Sequence, residues 1–470
     1  MENRLAARNG GRLGLAALVV VLLLGLGLRV GEAWDGRAPV YDAAAYAAIA
    51  ANLTKGEGFT VGPSATQPSS NYSPGVPLFV AGLYEVTGDE HERFARLLLA
   101  LIGSLSVLFA YLIGKRLVRI QRALKKGPYR GGNSASAEFW PALAGALTVA
   151  VYPALLEYQG MLMGEPLAAT LLSGGVLAML WAWDEDSSWG RWLLPGALFG
   201  ALALVRPEYL AIAGLIAVVV FAREAAGDWR RSLLRAGIFL GALVLVIAPW
   251  AIRNAVALDR FVPISTGGGQ VLFAGTYLPS DGDPEKVGAE VVAENPDLFQ
   301  PRDAEQLRLE QILARLAADR YPGMETDQAL SKLGKEQLWD EVTDEPAEYA
   351  GFVATKVWRI WSQGQRDVME KPIWRALHWV LIAFGLLGLA ILAWQRRWET
   401  LLLATIFLAI TALSALLVAS PRRVLVLVPL LAALASVAIA WLAQRLASSV
   451  PHRGHNSPRA PAHPDSLSRP

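Results

Sequence analysis

The sequence of 470 residues contains no cysteine and only five histidines. The absence of cysteine excludes a disulfide framework, a thiolate nucleophile and a metal site built from thiolates. The histidines lack the spacing of a zinc site. No stretch matches a phosphate-binding P-loop, a dinucleotide-binding glycine fingerprint or a Ser-His-Asp signature. These absences argue against ATP-driven transport.

Charge is also scarce. Only 18% of the residues are charged, the formal net charge is +2, and 54% of the residues are hydrophobic, with 16 Trp and a mean hydropathy of +0.35. A nearly neutral chain is not typical of nucleic-acid binding, so no nucleic-acid partner is expected. The apolar composition departs from that of a soluble domain and indicates a membrane protein surrounded by lipids.

Apolar runs long enough to cross a bilayer recur along the chain. A span needs about 20 mostly apolar residues, and backbone groups in lipid must be bonded internally, so each span is predicted to be a helix. The first run is long for the apolar region of a signal peptide, and no A-x-A cleavage site lies between it and the next segment, so it is predicted to stay as an uncleaved span. The sequence predicts an all-α membrane protein with about ten spans, near 13–30, 94–114, 139–156, 165–183, 192–205, 208–222, 233–252, 374–394, 400–418 and 424–443.

Basic residues predict the orientation. The segment 115–131 carries seven Lys and Arg and no acid, which is typical of a cytoplasmic loop. With ten alternating spans, both termini and the basic segments 223–235 and 395–397 fall on the same side. The loops 31–93, 157–164 and 253–373 are then predicted to lie outside the cytoplasm.

This pattern divides the chain into four segments. Residues 1–252 form an N-terminal membrane module that includes the first outer loop, 31–93. Residues 253–373 are too long for a simple connection and are predicted to form a mostly helical extracytoplasmic region. Residues 374–444 form the C-terminal spans, and the Pro-, Ser- and Arg-rich residues 445–470 are predicted to be a disordered cytoplasmic tail.

A lone carboxylate follows the first span. On a helix, Asp42, Tyr46, Ile49 and Leu53 share one face, and the alanines around them permit close packing. Asp42 has two interpretations: it caps the helix by accepting from exposed N–H groups, or it acts as a general base at the membrane rim.

Glu165 precedes a proline at the predicted outer start of the fourth span. An acid there complements the helix dipole, and this simple explanation competes with a functional one. In the functional interpretation, Glu165 faces Asp42 across the same outer surface, where the two acids share an acceptor or a divalent cation.

Four arginines fall on the predicted outer side, against the positive-inside tendency. Each guanidinium either reaches toward lipid headgroups or recognises a phosphate with two parallel hydrogen bonds. Nearby, the triple glycine of 265–270 is either a flexible turn or a backbone nest for an anion. The four arginines are Arg206, Arg253, Arg422 and Arg423.

Several stretches, in order, carry a resemblance to a known family. The most specific is the run from Pro249 to Gly275. The chain resembles the bacterial dolichyl-phosphate-mannose-protein mannosyltransferase-like glycosyltransferases (family 39 and relatives), which include aminoarabinose transferases of lipid A and galacturonosyltransferases of lipopolysaccharide. The stretches are YDAAAYAAIAANLTKGEGF, YSPGVPLFVAGLYEVTG, RLLLALIGSLSVLFAYLIGKRL, MGEPLAATLL, ALVRPEYL, PWAIRNAVALDRFVPISTGGGQVLFAG, EPAEYAGFVATKVWRIW and SPRRVLVLVPLLAALA.

The resemblance implies a GT-C fold in a bacterial cytoplasmic membrane, with the active site facing outside. It implies a polyprenyl-phosphate sugar donor, an extracytoplasmic acceptor, and a catalytic acid in the first outer loop, which corresponds to Asp42. Members often carry an acidic pair there, whereas Ala43 follows Asp42 here. A metal role therefore does not carry over.

The resulting hypothesis is a membrane glycosyltransferase with Asp42 as general base. Tyr46, Glu165 and the four arginines are its predicted substrate-binding residues. No cofactor is required if the arginines stabilise the leaving phosphate; a divalent cation bound by Glu165 is the alternative. The rival functions are a lipid or glycolipid transporter or flippase, and a non-catalytic assembly protein. The sugar and the acceptor (lipid, protein or envelope glycan) are not encoded in any recognisable pattern.

Overall fold

The computed structural model describes residues 2–40, 42–61, 68–88, 92–123, 134–184, 188–362 and 367–449. Within these ranges, all regular structure is helical and no strand occurs, which confirms the predicted all-α class. The predicted disordered tail from residue 450 onward lies outside the described residues. The α-helices are α1 (Glu2–Trp34), α2 (Asp42–Thr54), α3 (Gly75–Thr87), α4 (Glu92–Arg122), α5 (Ser134–Val151), α6 (Pro153–Glu157), α7 (Glu165–Ala182), α8 (Leu193–Val205), α9 (Glu208–Leu258), α10 (Gly268–Thr276), α11 (Val287–Glu294), α12 (Asp303–Gln306), α13 (Leu309–Arg320), α14 (Thr326–Asp344), α15 (Pro346–Ser362), α16 (Pro372–Trp394), α17 (Trp398–Leu416) and α18 (Arg422–Ser449).

Seven described helices are long and apolar enough to cross a membrane, or eight if α5 and α6, which meet at 49°, count as one span. The chain is thus a multi-pass membrane protein, but the predicted count of ten is not confirmed. Helix α8 has 13 residues, about 20 Å against a hydrocarbon core of about 30 Å. The predicted spans 208–222 and 233–252 are two arms of α9, which turns at the non-helical Asp228.

Helix α18 is the centre of the bundle. Its most apolar window is 89% buried, and α4, α5, α7 and α16 pack around it. Glycines permit the close approach: a Cβ at Gly388 would lie 2.0 Å from the carbonyl oxygen of Leu434, and one at Gly145 would lie 2.6 Å from that of Ala432. Small residues at helix interfaces are how membrane helices gain packing contacts. This packing fixes the position of Arg422, with which α18 begins.

A buried arginine supports the bend between α5 and α6. Pro153 has no N–H to donate to the carbonyl of Val149, so the bend leaves backbone acceptors open. Arg29 of α1 donates to the carbonyls of Val149 and Ala150, at 3.0 and 3.2 Å. A charge inside a span is stable when backbone carbonyls surround it. The bend then leads the chain toward Glu165.

The predicted cytoplasmic segments meet at one end of the bundle, here called the basic end. Arg397 donates to the carbonyl of Ile120 at 3.1 Å, and Gln444, near the end of α18, donates to Gln121 at 3.2 Å. Helix α18 has 28 residues, or about 42 Å. Its other terminus, at Arg422, is therefore about a bilayer away and is here called the site end.

Helices α10–α15 form a helical unit with its own apolar core, in which Phe273, Val291 and Leu330 are buried. Lys356 of α15 attaches this unit to the bundle. Its ammonium donates to the carbonyls of Gly275 at 2.5 Å and Ala415 at 2.6 Å, the C-terminal turns of α10 and α17. Burial lowers the pKa of Lys356 to about 8.

The bounds of the four predicted segments remain predictions. Helix α9 continues past residue 252 to Leu258, and α18 continues past residue 444 to Ser449. The predicted helical character of 253–373 agrees with helices α10–α15.

Candidate functional site

Asp42 lies at the site end and pairs with the last helix. It is the first residue of α2, and its carboxylate Oδ2 is 2.8 Å from Nη1 of Arg422. The side chains are 42% and 32% exposed, so the pair is open to a ligand. The pair joins residues 380 positions apart, which a simple helix cap would not require.

Glu165 is the buried centre of the site. Its side chain is 0% exposed; Oε1 lies 2.5 Å from Nη2 of Arg206 and 3.9 Å from Nε of Arg422. The other oxygen, Oε2, is buried without a hydrogen-bond partner among the described residues. Glu165 is also the first residue of α7, so it serves the helix start and the arginines at once.

A third acid, Glu208, completes the cluster and is not among the site residues that the sequence predicts. It lies 4.0 Å from Arg206 and 3.6 Å from Arg423. The available signal was its position in the first turn of α9, directly after the Arg206–Pro207 break. Three guanidiniums and three carboxylates therefore balance, where the sequence predicted one or two acids facing four arginines. These six residues, Asp42, Glu165, Arg206, Glu208, Arg422 and Arg423, are here called the ion cluster.

Tyr46 lies one turn after Asp42, as the helical periodicity predicts. Its ring contacts that of Tyr72 edge-on, with centroids 5.9 Å apart. Burial and the charge of Asp42 raise the pKa of the Tyr46 hydroxyl, on which the charges of Glu165 and Arg206 also act. At neutral pH the hydroxyl is therefore protonated and beside the ion cluster.

Arg253 is not part of the ion cluster. Its guanidinium donates to the carbonyls of Ser69 and Phe59, at 3.0 and 3.3 Å, and lies 4.9 Å from the ring centroid of Trp250. These contacts attach α9 to the first loop. The structure thus gathers three of the four predicted arginines, and a contact between Arg253 and substrate stays a prediction.

The backbone of the triple glycine contacts a carboxylate of the protein itself. The N–H of Gly269 donates to the carboxylate of Asp327 at 2.8 Å. A Cβ at Gly269 would lie 1.9 Å from the Asp327 carbonyl oxygen. The glycine therefore lets α10 pack against α14, and the proposed anion nest faces an internal carboxylate.

The residues of the cluster do not fit a divalent cation. Among the described residues, no group of three His, Asp or Glu side chains is arranged to hold a metal ion. The carboxylates of the ion cluster instead face guanidiniums.

No protein-family model and no curated protein sequence matches the chain. Among solved structures, the oligosaccharyltransferase AglB of Archaeoglobus fulgidus, in complex with an inhibitory peptide and a dolichol-phosphate, matches with a TM-score of 0.55 and 17% identity. The match covers 94% of this chain and 52% of that one. An oligosaccharyltransferase of Archaeoglobus fulgidus in complex with Zn and sulfate matches with a TM-score of 0.52 and 14% identity, over 92% and 49% of the two chains.

ArnT of Cupriavidus metallidurans, bound to undecaprenyl phosphate, covers 93% of this chain and 79% of that chain at 16% identity, with a TM-score of 0.38. The chain spans about half the length of the archaeal enzyme. At these identities the archaeal matches show a common fold, and they confirm the predicted GT-C type of architecture.

Proposed function

We propose that the chain is a membrane glycosyltransferase that moves a sugar from a polyprenyl-phosphate donor to an extracytoplasmic acceptor. The observation that carries the proposal is the partly exposed ion pair of Asp42 and Arg422 beside Arg206. A carboxylate for the acceptor proton and guanidiniums for a phosphate are what this transfer requires. The GT-C type of fold supports it.

The donor phosphate is bound by Arg206 and Arg422. Both side chains are partly exposed, at 21% and 32%, and both lie against Glu165, which keeps them side by side. Guanidiniums recognise phosphate oxygens in pairs. As the bond to the sugar breaks, negative charge develops on the departing phosphate and is stabilised by these fixed cations.

Asp42 removes the proton of the acceptor. The acceptor hydroxyl oxygen forms a bond to the anomeric carbon, its proton passes to an oxygen of Asp42, and the bond from the anomeric carbon to the phosphate oxygen breaks. Polyprenyl phosphate leaves with the electron pair of that bond. Catalysis by a positioned base of this kind contributes about 10²- to 10⁴-fold.

The remaining predicted residues surround this centre. Glu165 orients the two phosphate-binding arginines, and Tyr46 offers a hydroxyl to substrate. Arg423 is 10% exposed and pairs with Glu208, so its role is to stabilise the cluster. The bacterial cytoplasmic membrane is the proposed location. Because the basic end carries the segments typical of cytoplasmic loops, the site end faces away from the cytoplasm.

The experiment measures release of polyprenyl phosphate and transfer of labelled sugar in vesicles, using a panel of polyprenyl-phosphate sugars and an envelope extract as acceptor. Asp42→Asn is expected to lower transfer by about 10²-fold or more. The matched control is Asp184→Asn, which removes an exposed Asp–Arg pair at the basic end and is expected to leave transfer unchanged. Full transfer in Asp42→Asn would remove the catalytic assignment.

The same assay separates the rival functions. A flippase would move the lipid-linked sugar between leaflets without forming product, and an assembly protein would do neither. Transfer with a chelator present, equal to transfer without it, is the result expected if no metal cofactor is required. Absence of transfer with every donor in the panel would overturn the proposed function.

A further inference from the structure

Arg422 pairs with two acids, of which one is buried and the other is partly exposed. Its Nη1 lies 2.8 Å from Asp42, and its Nε lies 3.9 Å from Glu165. Glu165 is fully buried and also pairs with Arg206, so it cannot move away without leaving a charge uncompensated. Asp42 is 42% exposed at the first residue of α2. Of the two partners, Asp42 is the one that can release Arg422.

The contact also engages two groups that the proposed reaction needs, the base Asp42 and the phosphate ligand Arg422. The proposed base accepts a hydrogen bond from the proposed phosphate ligand, so neither is fully available while the pair is closed. In the donor the phosphate is a diester, which carries one negative charge and two free oxygens, as a carboxylate does. Its advantage is that it can contact Arg206 and Arg422 together, because guanidiniums recognise phosphate oxygens in pairs, whereas Asp42 pairs with Arg422. A phosphate held by both arginines is therefore a stronger ligand for Arg422 than Asp42 is.

We propose that Asp42 and the donor phosphate compete for Arg422, so that binding of the polyprenyl phosphate group releases the Asp42 carboxylate to act on the acceptor. This inference rests on the proposed function. Its consequence is an order of events, because the base becomes available only after the donor phosphate is bound. Glu165 holds the guanidinium in place throughout, so the exchange requires movement of Asp42 alone.

Competition has a thermodynamic signature, since anything that stabilises the closed pair must weaken phosphate binding by the same factor. The probe is undecaprenyl phosphate, which carries the phosphate group of the donor without its sugar; it is titrated against the purified full chain in lipid nanodiscs, with undecaprenol as the uncharged control. Asp42→Asn is expected to bind the phosphate about two- to fivefold more tightly, the range that a partly exposed ion pair contributes. The same variant is expected to lose transfer, so binding and turnover change in opposite directions.

Two further variants complete a double-mutant cycle. Arg422→Gln is expected to bind undecaprenyl phosphate about tenfold more weakly or worse, because it loses a charge-assisted contact. Adding Asp42→Asn to Arg422→Gln should then give no tightening, since the competed group is gone. Asp184→Asn, which breaks an Asp–Arg pair of similar length at the basic end, should leave binding unchanged. Size-exclusion profiles and melting temperatures establish that each variant is folded.

Equal affinity of the wild type and Asp42→Asn would overturn the competition while leaving the proposed function intact. Weaker binding by Asp42→Asn would also overturn it, because Asp42 would then be helping to hold the phosphate. Tightening that persists in the Arg422→Gln background would show that Arg422 is not the contested group. A wild type that binds undecaprenyl phosphate no better than undecaprenol would instead overturn the proposed function.

Discussion

The two ends of the helix bundle use the same residue types in opposite ways. At the basic end, Arg116 pairs with Asp184 at 2.6 Å, and the two side chains are 27% and 47% exposed. At the site end, Glu165 is 0% exposed and lies against both Arg206 and Arg422. An exposed pair contributes little to stability because water and salt replace each partner. A buried network cannot lose one member without leaving a charge in a poorly solvated place.

The sharpest test of this contrast is Arg206→Gln. It leaves the buried carboxylate of Glu165 with one distant guanidinium, so the free energy of unfolding is expected to fall by about 3–5 kcal/mol. Thermal and denaturant unfolding in detergent measure the change. The control adds Glu165→Gln to the same chain, which removes the orphaned charge and should restore much of the loss. A decrease in the free energy of unfolding of less than about 1 kcal/mol would mean that the ion pairs of the site end contribute no more than exposed pairs do.

Arg29 tests a buried cation whose partners are neutral carbonyls. Arg29→Met leaves the carbonyls of Val149 and Ala150 without their donors, and each unsatisfied buried acceptor costs about 1–3 kcal/mol. We expect a loss of about 2 kcal/mol or more in unfolding experiments. Arg12→Met, which alters an exposed arginine of the same helix, is the matched control. Equal stability of the two variants would mean that the bend holds without Arg29.

Arg116→Gln is the counterpart at the basic end. It breaks only the partly exposed pair with Asp184, so the expected loss is less than about 1 kcal/mol. The loss should shrink further at high salt, because exposed charges are screened. A loss as large as that of Arg206→Gln would end the distinction between the two ends.

The smallest expected effect lies in the α10–α15 unit. Burial raises the pKa of Glu341 to about 7, against the opposing effects of the Leu278 backbone N–H and of Lys356. Between its unfolded pKa, about 4.5, and about 7, the folded state binds a proton that the unfolded state has lost, so stability falls as pH rises through this window. The apparent melting temperature should decline slightly from pH 5 to pH 7.5.

In Glu341→Gln this contribution to the decline should be absent. Glu336→Gln, on the same helix but at an exposed position, should retain it. A slope that is the same in all three proteins would show that another group titrates.

The sequence predicts which residues share the site end but not how they pair. Asp42, Glu165, Arg206 and Arg422 each lie at a helix boundary, so alternation of apolar runs assigns them to one side. The pairing of α2 with α18 depends on packing around α18, whose glycine contacts have no local signature. Arg253 directly follows the predicted span 233–252, but it lies inside α9, and its guanidinium binds backbone carbonyls of the first loop.

The predicted count of about ten spans is not confirmed, for a related reason. Hydropathy separates the runs 192–205 and 208–222 at Arg206 and Pro207, but it does not decide whether each run is a full span, and α8 has only 13 residues. The sequence does not single out Glu208, at the same break, because an acid in the first turn of a helix is usually explained by the helix dipole. Its pairing with Arg423, which comes from a distant part of the chain, is seen only in the structure.

The pairing of Asp42 with Arg422 also bears on synthesis. The two residues are 380 positions apart, so a ribosome that adds about 5–20 residues per second needs roughly 20 to 80 s to supply the second after the first. Glu165 meets Arg206 after only 41 positions. A nascent chain thus has both members of its innermost pair early, and it lacks Arg422, and with it the proposed chemistry, until its final helix has been made.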